Sequence, residues 1–141
     1  MRFERPVSII WFERIAYLAL ILSVVNFNIV YGAMRRSPGL ADGPPGAIIL
    51  LMLIMLVIYI PLVLFAARRA SNVARWILAV LLGIHLLGLL DLRAILNYGG
   101  PSAVIALGQF PISVVLIWLL FRADARRWFR KGEEVDPDVF R

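Results

Sequence analysis

The chain has no cysteine among its 141 residues. Disulfides, thiol chemistry and thiolate-bound zinc are therefore excluded. It has one histidine, His85, too few for a multi-histidine metal site within one chain. Lysine is nearly missing: of 15 basic residues all but Lys131 are arginine, a bias common in GC-rich bacterial genomes. Charge is missing from long runs of sequence. Residues 15–34, 47–67 and 102–121 contain no Asp, Glu, Lys or Arg, and residues 76–98 contain only Asp91 and Arg93.

What is present is apolar: 62% of the residues are hydrophobic, which excludes a disordered chain. Each charge-poor run is about 20 residues, the length an α-helix needs to cross roughly 30 Å of hydrocarbon. The expected fold is all-α: four transmembrane helices over about 12–34, 47–67, 76–98 and 102–121, with a tail at 122–141. That tail is too short to bury a core of its own, so one membrane domain spans 1–141. Glu4 and Glu13 precede the first run and no small-residue cleavage site follows it, so it is expected to be retained as a span.

Basic residues are unevenly shared. The segments before the first run, between the second and third, and after the fourth hold 12 of them; the two remaining loops hold Arg35, Arg36 and Arg93. The positive-inside rule then places both termini in the cytoplasm of a bacterial inner membrane. Trp11, Trp76, Trp118 and Trp128 fall near that same boundary. The +6 charge flanks the spans, so its expected partner is anionic lipid headgroups and not nucleic acid. From Phe121 to Arg130 a helix would share Phe121, Ala125, Trp128 and Phe129 on one face, which reads as an interfacial amphipathic helix on the inner leaflet. Trp76, Arg126, Arg127, Trp128 and Arg130 are the candidate headgroup anchors.

Ser8 is a candidate N-cap after Pro6. Pro61 and Pro111 fall inside spans, and Gln109 and Ser113 stand close enough to satisfy the carbonyl that Pro111 frees. Tyr98-Gly99-Gly100-Pro101 reads as an abrupt stop between the last two spans. Ala19/Ser23, Ala79/Gly83 and Ser102/Ala106 have the small-xxx-small spacing of close helix contacts. Glu13, at the inner edge of the first span, is expected to pair with Arg68, Arg69 or Arg75.

Polar groups inside spans are costly and mark function or pairing. Asn26, Asn28, Asp91, Arg93 and Gln109 fall at similar depth in the outer half and form one candidate cluster. It reads as interhelical hydrogen-bond glue, as a ligand or ion site, or as Arg93 reaching outer headgroups. His85 lies near the midplane, where it would either bond a neighbouring helix or ligate a lipophilic cofactor. No cofactor is otherwise expected.

Arg5-Pro6-Val7-Ser8-Ile9 with Phe12-Glu13, and Ala125-Arg126-Arg127-Trp128-Phe129, resemble a pattern of small uncharacterised four-span bacterial inner-membrane proteins. The resemblance covers the two ends and the hydropathy profile. It implies an address and no activity. Glu13, Asp91 and His85 fall at three different depths, so an enzyme is not expected. The leading expectation is a non-enzymatic accessory or scaffold subunit packed against other membrane proteins or itself. A homo-oligomeric transporter or channel, or a lipophilic-cofactor binder, follows.

Overall fold

The computed structural model describes residues 5–34, 45–91, 96 and 100–131, and every regular element among them is helical. In chain order they are α1 (Val7–Met34), α2 (Pro45–Arg69), α3 (Asn72–Gly88), α4 (Gly100–Phe121) and α5 (Ala123–Lys131). The loop around Asp42, the Tyr98-Gly99 stop, Arg93 and the acidic tail end lie outside the described residues.

Helix starts follow proline chemistry. The Pro6 carbonyl accepts the N–H groups of Ile9 and Ile10 at 3.0 and 3.2 Å, so α1 opens directly behind it. Ser8 therefore sits inside the first turn and is not the cap. Pro45 opens α2 and Pro101 stands in the first turn of α4, where a missing N–H costs nothing. Helix α2 runs through Pro61 and α4 through Pro111.

Two residues join α2 to α3. Ala70 takes a left-handed backbone, φ 51°, and the Ser71 N–H reaches back to the Phe65 carbonyl at 3.2 Å. The Ser71 hydroxyl then accepts the Ala74 N–H at 3.3 Å, capping α3. That cap starts α3 four residues before the expected Trp76. The helix also ends ten residues before the expected residue 98. Gly88 is a weak helix former, and the Asp91 carboxylate is disfavoured at a helix C-terminus. Leu89 and Leu90 complete the turn through N–H bonds to carbonyls of 85–87.

Within α1, α2 and α4 the stretches Val7–Gly32, Met52–Arg69 and Gly100–Phe121 are long and apolar enough to cross a membrane. Helix α3 is apolar but has 17 residues. The expected four spans thus resolve into three membrane-length helices and one shorter one.

The four long helices close a ring. Helix α4 packs most extensively on α1, α3 on α2, and the contacts α3–α4 and α1–α2 complete it. The core lies at one end, among Phe12, Ala16, Val63, Leu78, Leu116 and Leu120. Helix α5 seals that end, with Ala125 and Phe129 buried in the same cluster. Its apolar face was expected on lipid; it covers the bundle core instead, because the packed ends of α1 and α4 offer that face a protein surface. The exposed arginines 126, 127 and 130 point away from it. We call this end the base. It gathers the start of α1, the α2–α3 turn and the α4–α5 junction.

Candidate functional site

Polar side chains hold α1 against α4. Ser102 on α4 donates to Asn26 Oδ1 at 2.8 Å, and Gln109 Nε2 donates to Ser23 Oγ at 2.8 Å. Ser102, Gln109 and Ser113 are buried on α4, beside the small Ala103 and Ala106. Small residues let the two backbones approach, and the hydrogen bonds then fix their register. The Ser102/Ala106 and Ala19/Ser23 spacings belong to this seam. Gly83 does not mark a close contact: a Cβ built there would meet nothing within 4 Å.

The expected outer cluster therefore divides. Asn26 and Gln109 join the seam, each through a serine. The Gln109 amide donates across the seam to Ser23, a partner the sequence did not indicate. Asn28 is exposed and donates to the Val24 carbonyl of its own helix at 2.7 Å. Asp91 falls in the exposed turn past α3, where its N–H bonds the Gly88 carbonyl at 3.4 Å. It was expected inside a span because its neighbours are apolar; the end of α3 at Gly88 removes it from the helix.

Above the packed base the ring opens into a cleft of about 570 Å³, within the size range of small-molecule sites. All four long helices line it. Leu82 and Ala19 form its floor, in contact with the core below. The walls are mostly apolar, including Phe27, Met52, Met55 and Leu56. Into them are set Ser23 from α1, Tyr59 from α2, His85 from α3, and Gln109 and Ser113 from α4. Met55 and Ile84 on the rim are 52% and 61% exposed, so the cleft is not sealed.

Of the sequence-level candidates, His85 and Gln109 reach this cleft. Tyr59 and Ser23 were missed as site residues. A hydroxyl on an otherwise apolar run two residues before Pro61 was the available signal for Tyr59. Ser23 was visible only as a small residue. Among the described residues no three His, Cys, Asp or Glu gather as a metal site. By its chemistry such a lining can accommodate an apolar body and offer hydrogen bonds to a polar head.

The base carries the charges. Glu13 on α1 is 9% exposed and is held between two arginines. Arg5 reaches its Oε2 at 2.8 Å; Arg68, at the end of α2, reaches Oε1 at 2.9 Å through one terminal nitrogen and 3.0 Å through Nε. Arg68 is the partner among the three expected, and Arg5 is additional. The Arg75 guanidinium lies 4.5 Å from the Phe121 ring, 5.2 Å from Phe129 and 5.5 Å from Trp76. Trp76 meets Phe121 edge-on at 5.3 Å. These cation–π contacts join α3 to the α4–α5 junction.

Asp124 opens α5 beside the start of α1. Burial pushes its carboxyl pKa up, but the Ser8 hydroxyl and the N–H groups of Ala125, Asp124 and Ser8 outweigh this and hold it below its ordinary value. The Ser8 Oγ does not reach strict hydrogen-bond geometry, so the backbone donors at the two helix starts are the firmer cause. Arg122 adds an exposed ion pair at 3.7 Å. Trp11, Trp76 and Trp118 are all more than half exposed around the base, while Trp128 is half-buried. Arg14 covers Trp11 and Arg122 covers Trp118. Arg126 is partly engaged, its Nε donating to the Phe121 carbonyl at 2.9 Å.

No protein-family model, no curated protein and no solved structure matches this chain. Its membrane character rests on the three helices of membrane length.

Proposed function

We propose that the chain is a four-span protein of a bacterial cytoplasmic membrane, both termini inside, whose bundle holds a lipophilic small molecule without catalysing a reaction. The fourth span includes α3, whose 17 helical residues rise about 25 Å. The inside assignment rests on the 12 basic residues before the first apolar run, between the second and third, and after the fourth.

One observation carries the binding reading. The helix ring is packed at the base and open above it, leaving about 570 Å³ with a polar group on each helix. Interiors are ordinarily close-packed, so such a space in hydrocarbon fills with lipid or with a chosen ligand. This observation supports the lipophile binder over the accessory-subunit and transporter readings. The test is gentle-detergent purification followed by mass spectrometry of the organic extract. Enrichment of one lipophile over bulk lipid, lost in Met55→Trp, supports the reading. Extracts that mirror bulk lipid in both proteins contradict it.

A further inference from the structure

We infer that the cleft selects an uncharged lipophile, one with a carbonyl or hydroxyl head on an apolar tail, and rejects lipids with charged headgroups. This rests on the cleft being a binding site and goes further by naming the ligand's chemistry.

The lining fixes the class. Its polar members are two serines, a tyrosine, a glutamine and a histidine, formally neutral at pH 7. No Asp, Glu, Lys or Arg of the described residues contributes to the lining. Asp91 stands past the end of α3, six residues beyond His85; Glu13 stands six residues before Ala19 at the base, about 9 Å along the α1 axis from the lining. A phosphate or ammonium drawn into this space would lose its water and gain no counter-charge from the described lining, a cost of several kcal/mol. An ester, quinone carbonyl or hydroxyl loses little and finds donors and acceptors already placed.

Depth points the same way. Gln109 is nine residues into α4, about 13 Å from that helix end. His85 is nine residues from Trp76, again about 13 Å. Both levels lie within the hydrocarbon, where a headgroup phosphate does not reside. A molecule that dissolves wholly in the membrane reaches them without dragging charge inward. The amide fits such a head. Its bond to Ser23 uses one of the hydrogen-bonding positions of Gln109, and an amide has an acceptor oxygen and a second N–H besides. Tyr59 and Ser113 add hydroxyls from facing helices.

Two sources share this chemistry, an isoprenoid quinone and a neutral glycerolipid, and the probes separate them. Purified protein at pH 8 is titrated with a decyl-tailed benzoquinone, with dioctanoylglycerol and with dioctanoylphosphatidylglycerol. Thermal midpoint is the readout, in wild type, Met55→Trp and His85→Leu. Met55 is a rim residue whose replacement spares the core and the seam, and circular dichroism checks folding. A midpoint rise of several degrees with one or both neutral probes is expected, absent in Met55→Trp. The phosphatidylglycerol should bind at least about tenfold more weakly. His85→Leu separates the quinone from the glycerolipid if it weakens one alone. Equal or tighter binding of the anionic probe, still blocked by Met55→Trp, overturns the neutral-head inference and leaves the binding site standing. No shift with any probe, or shifts that Met55→Trp leaves intact, overturns both.

Discussion

At the scale of single residues, Glu13 and Gln109 show two ways to place a polar group in an apolar bundle. Glu13 is charged and sits between two arginines at the edge, where Arg5 and Arg68 still meet solvent at 40% and 60% side-chain exposure. Its removal lets both arginines rehydrate. Glu13→Ala should therefore cost about 1–3 kcal/mol, the range for a lost charge-assisted bond, and not the larger value of a sealed pair. Thermal unfolding in detergent measures it, and an unchanged midpoint would show that the clamp is ornamental. Gln109 is neutral and buried, and meets Ser23 where α1 borders the cleft. Interhelical bonds of this kind contribute about 0.6 kcal/mol and up to 2. In a double-mutant cycle Ser23→Ala and Gln109→Leu should couple by that amount, because Ser23→Ala takes the partner from a buried amide. Additive effects would remove the bond as the tie between α1 and α4. The sequence made Gln109 visible as a rare polar group in a span. It did not reveal its partner, since a serine 86 positions earlier is unremarkable until α1 and α4 touch.

At the scale of elements, the helix boundaries depended on caps more than on hydropathy. The runs at 47–67 and 102–121 became helices within about two residues, because Pro45, Pro101 and the arginines bound them sharply. Helix α3, Asn72–Gly88, does not share the bounds of the run at 76–98. Ser71 capped α3 early, and the apolar residues after Gly88 gave no sign of the turn there. The α2–α3 turn holds Ala70 at φ 51°, a region costly for a side chain with a β-carbon and worse for a branched one. Ala70→Val should destabilise by about 1–3 kcal/mol, with Ala70→Gly at or above wild type. A valine variant as stable as wild type would contradict the left-handed residue. Helix α5 was legible as amphipathic, but its apolar face was assigned to lipid because no sequence rule shows that a core lies beneath it. Asp124 ties its start to that of α1. A carboxyl held below its ordinary 3.8 contributes stability that is fully present above that value and is lost as pH falls through the depressed one. Acid unfolding should thus begin below about pH 4, and Asp124→Asn should lower stability at pH 7 while narrowing the loss below it. An identical pH profile in both proteins would exclude Asp124 as a contributor.

At the scale of the whole molecule, the base and the cleft are complementary. Arginines and tryptophans collect where packing is dense; neutral polar groups line the part that packing leaves open. The basic asymmetry was readable from sequence because it depends only on counts. The cleft was not, because an apolar wall and an apolar core have the same composition and differ only in what faces them. Both the cleft depth and the neutral-head inference require α3 to cross the membrane despite its 17 helical residues. The absence of native cysteine allows a direct test. Single cysteines at Asp42, Ser71, Gly99 and Arg127 are labelled in intact cells with a membrane-impermeant maleimide, then again after lysis. Four spans with inside termini require labelling at 42 and 99 in intact cells, and at 71 and 127 only after lysis. Labelling of 71 and 99 from the same side would mean that α3 does not cross, and would contradict the four-span bundle on which the cleft depends.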